Sequence, residues 1–159
     1  MTELTSPMPI GSLGHRLETA GGVDRADILR LARLFHAEDG HPLNTRGEVA
    51  IKHLLLDRRF GTILKLVLDD TIVGYTVVTF GYSIEWGGRD AFIDDLYIAE
   101  SQRGAGLGRL VIENIADWLR SMTVGALHLE VMAGNPAEKL YRRMGFSDRS
   151  SVFMSMRLI

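Results

Sequence analysis

The chain has 159 residues, of which 18 are basic and 20 acidic, with a formal net charge of -2 and no cysteine. This length suits one domain that buries a substantial core without covalent staples, and a hydrophobic fraction of 46% beside a charged fraction of 24% is ordinary for a globular chain. The lack of cysteine excludes disulfides, thiolate metal sites and a cysteine nucleophile, and fits a cytoplasmic protein. Lysine and arginine are not concentrated anywhere, so no nucleic-acid groove is expected. The longest apolar run, residues 71–80, is too short to span a bilayer, so no membrane partner is expected. Residues 1–12 carry Pro7 and Pro9 without the pattern of a signal peptide, and are expected to be a flexible tail before a domain over 13–159.

In chain order, residues 14–20 predict a first strand ending at Gly21-Gly22. Asp24 predicts a helix N-cap with Asp27 in the first turn, and Ile28, Leu31, Leu34 and Phe35 recur at helical spacing up to about Glu38. After a loop at 39–42, Thr45 and Glu48 stand three apart as in a capping box and predict a second helix running towards Arg59. The period then changes. Strands are predicted at 62–68 and 72–80, joined by an Asp69-Asp70 turn, and a third at 91–98 after a connection containing Gly87-Gly88. A glycine-rich turn leads into an amphipathic helix with Leu107, Leu110, Val111, Ile115, Trp118 and Leu119 on its apolar face. A strand at 126–132 follows, then a helix opened by Asn135, Pro136 and Glu138 and closed by Gly145, then a last strand at 152–158. The prediction is a mixed α/β chain around one central sheet.

The most informative segment is the turn between strand and helix: Arg103, Gly104, Ala105, Gly106, Leu107, Gly108. Glycines there let the backbone approach a ligand, and a helix N-terminus presents unpaired N–H groups beside the positive end of its dipole. That suits a pyrophosphate, with Arg103 adding a charge-assisted contact. A P-loop would need Lys and then Ser or Thr after the last glycine, and Arg109 stands there; the dinucleotide fingerprint needs a Gly-x-Gly-x-x-Gly spacing that is not met.

These residues resemble the GNAT acetyltransferase superfamily, whose pyrophosphate loop reads Arg/Gln-x-x-Gly-x-Gly/Ala, met by Arg103, Gly106 and Gly108. The stretch Asn135 to Phe146 is similar to the family's Asn, Ala, Leu-Tyr and Gly-Phe segment, with two residues from Asn135 to Ala137 where the family has three. The resemblance implies a single domain with a mostly antiparallel mixed sheet splayed at its middle and about four flanking helices. It implies acetyl-CoA as co-substrate, held by the backbone of Leu96, Tyr97 and Ile98, by the loop from Arg103 to Gly108, and by Asn135 and Tyr141. A homodimer is common in the family.

Acetyl transfer to an amine needs a neutral nucleophile, donors for the oxyanion and a proton for the leaving thiolate. Tyr141 is the expected proton donor; the alternative is that it packs in the last helix with Leu140 and Met144. Asp94 and Asp95 are the candidate bases, on opposite faces of a regular strand unless a bulge intervenes. The stretch Ile93 to Ile98 is similar to that of polyamine and diamine acetyltransferases, which implies that Asp94 lies near the acceptor amine. Glu38, His41, Tyr82, Glu85 and Trp86 are the expected acceptor-binding residues, since acidic groups beside aromatic faces suit a cationic amine. The five histidines show no paired metal-ligand spacing. The expected activity is acetylation of a primary amine on a small molecule. The alternatives are acetylation of protein lysines or N-termini, and a non-catalytic acyl-CoA-binding module.

Overall fold

The computed structural model describes residues 6–11 and 14–158. The boundary expected between tail and domain, at residues 12 and 13, lies outside the described residues. Six strands form one sheet in sequence order: β1 (Met8–Ile10), β2 (His15–Thr19), β3 (Gly61–Leu68), β4 (Thr71–Ser83), β5 (Gly88–Ile98) and β6 (Ala126–Leu129). Neighbours pair antiparallel except β5 and β6, which are parallel and joined across α3 (Leu107–Ser121), as a parallel pair requires a long crossover. The helices α1 (Arg25–Glu38) and α2 (Thr45–Leu56) separate β2 from β3, and α4 (Ala137–Arg143) follows β6.

The two faces of the sheet bury two cores. Leu17, Leu64, Leu66, Val78 and Ala91 meet Leu107, Val111, Ile115 and Trp118 of α3 on one face. On the other, Ile63, Tyr75, Val77 and Tyr97 meet Ile28, Leu31, Ala32, Ile51 and Leu55 of α1 and α2. The period-2 alternation of β3 to β5 thus serves both layers at once.

Several details differ from the sequence reading. The tail contributes β1, with Ile10 fully buried. Asn44 caps α2, its side chain accepting from Gly47 N–H at 3.0 Å, while Glu48 pairs with Arg33 of α1. Asp24 stands at the N-cap of α1 as expected, but its carboxylate accepts from Gly21 N–H at 2.8 Å and from Lys65 Nζ at 2.8 Å instead of from the first turn of that helix. Antiparallel pairing carries β4 and β5 out to Ser83 and Gly88, leaving a four-residue turn at 84–87. The last strand expected at 152–158 does not form: Val152, Phe153, Met154, Met156 and Leu158 are 71–86% exposed, because strand propensity needs a sheet edge to pair with and this segment meets none among the described residues. Among the described residues, no helix is long and apolar enough to cross a membrane.

Gly74 is needed where the β5 backbone leaves no room for a side chain on β4. It pairs with Ile98, and a Cβ there would lie 2.6 Å from the Tyr97 carbonyl oxygen. Gly74→Ala is expected to lower stability by about 1–3 kcal/mol in chemical denaturation, because backbone must move to admit the methyl group; an unchanged midpoint would show that the two strands are not held this tightly.

Candidate functional site

The parallel ladder between β5 and β6 ends at Ile93 and Leu129. Beyond it β5 continues to Ile98 paired with β4 alone, so its β6-facing edge is left open along residues 94–98. The β4–β5 register shifts at the same place: Val77 pairs with Asp95 and Val78 with Ile93, so Asp94 is the extra, bulged residue. A bulge bends its strand and re-aims side chains. Here it removes the regular alternation that would set the two aspartates on opposite faces.

Asp94 is solvent-exposed and Asp95 is buried. The Asp95 Oδ2 atom accepts the Tyr75 hydroxyl at 2.7 Å and faces His36 Nε2 at 3.3 Å, while its backbone carbonyl accepts the Thr76 hydroxyl at 2.8 Å. Burial, and then the Asp95 charge, push the Tyr75 hydroxyl far above the ordinary phenol range, so it remains a donor. The Asp94 carboxyl is held above the ordinary carboxylate range. Partial desolvation is the main cause, followed by Asp95, with Glu130 adding to the rise and His36 opposing it. The structure therefore separates the pair: Asp95 is engaged by its neighbours, and Asp94 remains open to a ligand.

At the end of β5 the glycine-rich turn is built as the sequence suggests. A short 3₁₀ turn, Glu100–Gln102, leads to Gly104 at φ 90° and Gly106 at φ 76°, backbone that favours glycine. Gly106 is the N-cap of α3 without a side-chain cap, and the first helical bond runs from Leu110 N–H to Gly106 carbonyl. The N–H groups of Leu107, Gly108 and Arg109 precede that bond and are free to face an anion. No atom lies within 4 Å of where a Cβ would stand on Gly104 or Gly106, so the turn is open. Arg103 donates from Nε to the Ile98 carbonyl at 2.7 Å and from Nη2 to Glu38 at 2.9 and 3.2 Å, with its guanidinium 5.2 Å from the Tyr97 ring centroid. Tyr97 O–H also donates to Glu38, at 3.4 Å, which ties the end of α1 to the loop.

Tyr141 lies on α4, whose Leu140 packs beside this turn. A Cβ on Gly108 would sit 3.7 Å from Leu140 Cδ2 and 3.8 Å from Ile98 Cδ1, so Gly108 is where α3, α4 and β5 meet. Tyr141 is half-buried and packs edge-on against Phe146 at 5.9 Å, and burial raises its hydroxyl pKa. Gly145, at φ 96°, closes α4: its N–H reaches the Arg142 carbonyl and Phe146 N–H reaches the Tyr141 carbonyl, a Schellman arrangement. The Asn135 side chain accepts from Ala137 N–H at 2.9 Å, which caps the helix.

The expected acceptor residues divide. Glu38 stands at the site. His41 is exposed in the loop after α1, with Nδ1 3.0 Å from the Asp39 carbonyl. Tyr82, Glu85 and Trp86 lie at the β4–β5 turn, about 20 Å along β5 from Asp94 at ~3.3 Å per residue. There Glu85 pairs with Arg149, and Trp86 packs under Arg149 and beside His128. The structure does not bring them to the bulge. It brings His36, Tyr75 and Glu130 there instead, from three separate stretches of chain. No periodicity or spacing marks them, because each reaches β5 only through packing of the layers. Among the described residues no three histidine, aspartate or glutamate side chains converge as a metal site.

With the fold and this site in place, the chain can be set beside known proteins. The profile of the acetyltransferase (GNAT) family matches residues 28–146, and the chain belongs to that family. It is 36% identical over 87 residues to streptothricin acetyltransferase of Streptomyces lavendulae, covering 54% of this chain and 44% of that one. It is 33% identical over 78 residues to thialysine N-epsilon-acetyltransferase of Bos taurus, covering 48% and 45%. The chain thus spans less than half the length of these two relatives. An integron cassette protein from the Cole Harbour Salt Marsh metagenome shares the fold with a TM-score of 0.78 at 29% identity, covering 90% of each chain.

The raised Asp94 pKa has a measurable consequence. A carboxyl whose folded value is raised costs stability once it ionises, and that cost vanishes below its unfolded value of about 3.9, where both states are protonated. Asp94→Asn is therefore expected to raise the melting temperature at neutral pH, with the gain disappearing near pH 3. A gain that is equal at both pH values, or a loss at neutral pH, would contradict this account.

Proposed function

We propose that the protein transfers an acetyl group from acetyl-CoA to a primary amine of a small molecule, by direct attack within a ternary complex. The observation that carries this reading is the open edge of β5 over residues 94–98, ending on the uncapped glycine turn at the start of α3. The residues fit the diphosphate of coenzyme A: Arg103 supplies charge, the first-turn N–H groups of α3 supply donors, and the bare glycines leave room. The backbone of Leu96, Tyr97 and Ile98 supplies strand-type hydrogen bonds to the extended arm, and its N–H groups polarise the thioester carbonyl. Acetyl-CoA supplies the activated acyl group. Asn135 supports this side of the site by capping α4.

Tyr141 remains protonated through the physiological range and donates to the leaving sulfur. Asp94 attracts the acceptor's ammonium, with Asp95 and Glu130 reinforcing the negative field there. The acidic wall favours a cationic amine over a neutral or anionic acceptor. The two relatives named above act, by their names, on streptothricin and on the ε-nitrogen of thialysine, and both support a small acceptor.

Two measurements test the reading. The melting curve is expected to rise with acetyl-CoA or CoA, by about 2.7 kcal/mol of added stability at 100 times the dissociation constant. Thiol release is then expected with some members of a panel of spermidine, thialysine, streptothricin, kanamycin and a lysine-containing peptide. Gly106→Asp serves as control: a carboxylate at this N-cap accepts the first-turn N–H groups and repels the diphosphate, so the shift should be lost. No shift with either coenzyme would overturn the function, and release with the peptide alone would favour the protein-acetylating alternative. Tyr141→Phe is expected to keep acetyl-CoA affinity while lowering kcat roughly 10²-fold; a variant as fast as wild type would remove Tyr141 from the chemistry.

A further inference from the structure

We propose that His36 is the base that takes the proton from the acceptor's ammonium, oriented by Asp95 and, through Asp95, by Tyr75. The proposal rests on the acetyltransferase reading and assigns one step of it.

His36 lies two residues before the end of α1, and its imidazole reaches across to the β5 bulge, where Nε2 is 3.3 Å from Asp95 Oδ2. A carboxylate only accepts, so Nε2 carries the hydrogen in that contact and Nδ1 keeps its lone pair. No described residue bonds Nδ1. The side chain is 27% exposed, open enough to meet a ligand, whereas the Asp95 side chain beside it is 10% exposed. The Phe35 ring meets the imidazole edge-on at 5.2 Å and in turn meets Tyr97 at 6.3 Å, which restricts the orientation of the ring plane.

The arrangement is that of a base with an orienting partner. Asp95 does not itself serve as the base, because its Oδ2 already receives the Tyr75 hydroxyl and His36, and it is buried. Tyr75, buried and held protonated, has one partner for its hydroxyl and keeps the carboxylate turned towards α1. The His36 ring is the more open of the two groups, with a ring nitrogen that no described residue bonds, whereas the Asp95 carboxylate is engaged and buried. Asp94 then attracts the cation while His36 neutralises it.

The step balances as follows. The ammonium gives one proton to His36 Nδ1, and the freed nitrogen pair attacks the thioester carbonyl carbon. The C–N bond forms and the C–S bond breaks, with its electron pair going to sulfur. Tyr141 gives its proton to that sulfur, and the second proton on the new amide nitrogen returns to the Tyr141 oxygen through solvent. Imidazolium releases the first proton to water, so one proton leaves per turnover.

The charged groups that act on His36 are Asp95, in contact with its ring, and Asp94, both on β5. Tyr75 on β4 and Tyr97 on β5 reach it only through Asp95 and Phe35. Glu38, two residues on along α1, is engaged by Arg103 and Tyr97. From α2, Glu48 is engaged by Arg33. Three readouts decide. In the coenzyme-free protein, long-range ¹H–¹⁵N spectra of the His36 ring are expected to show the Nε2–H tautomer, and an Nδ1–H tautomer would overturn the proposal. With the best acceptor of the amine panel, His36→Ala is expected to lower kcat/KM by roughly 10²–10⁴-fold and to lose the acidic limb of the pH profile, with part of the rate restored by free imidazole. His36→Gln guards against misfolding: its melting temperature and acetyl-CoA affinity should match wild type while its rate falls equally. A wild type that acetylates no amine overturns the acetyltransferase reading and this assignment with it. An active wild type with a His36→Ala variant within threefold of it, and the same acidic limb, overturns only the assignment to His36.

Discussion

The parting of β5 from β6 is the constraint on which the rest of the site depends. Parallel strands stay together only while both ladders continue, and here the ladder stops at Ile93 and Leu129. The bulge at Asp94 supplies the cause on β5: one residue too many for β4 bends the strand and sharpens its twist at that point. Strand β5 therefore keeps β4 on one edge and leaves main-chain groups free on the other. Main-chain donors and acceptors left unpaired inside a protein are costly, so an open edge between two layers is a place for an extended ligand.

Burying Asp95 beside that edge would be unfavourable unless its charge were met, and the structure meets it from two elements at once. Tyr75 comes from the neighbouring strand and His36 from the helix above, while Thr76 holds the Asp95 carbonyl. The same contacts that satisfy the carboxylate also lock α1 against the sheet at the bulge. Two residues further along, Glu38 performs a comparable task at the surface by holding Arg103 and Tyr97. The C-terminal turn of α1 is thus fastened to β5 both at the bulge and at the glycine-rich turn that follows it. This fastening explains why two layers that share no local sequence signal form one site.

How much of this was legible varies with the range of the interaction. The Arg103–Gly108 turn could be read because its chemistry is local: positive φ, an uncapped helix start and the residues that tolerate both are adjacent in the chain. The closing of α4 at Gly145 is local in the same way. The cap of α2 fell one residue from its expected place, since Asn44 and Thr45 are both competent and only Asn44 has the extended backbone that reaches Gly47. The acceptor residues were partly misplaced for a different reason. Tyr82, Glu85 and Trp86 have the right chemistry, but β4 and β5 zip together past them and carry them to the far end of the sheet. The strand expected at 152–158 failed because pairing, rather than propensity, makes a strand.

The sequence by itself determined the family, the glycine-rich turn at the start of α3, the apolar strands of one central sheet, and the presence of an acidic pair on β5. All of these are written in neighbours along the chain, where backbone conformation and periodicity act directly. Only the tertiary structure decided which aspartate is engaged and which is open, that His36 and Tyr75 join them, and that Glu38 holds Arg103. Those outcomes depend on a single bulged residue and on the docking of α1, and both arise from contacts between segments tens of residues apart, which no local pattern encodes.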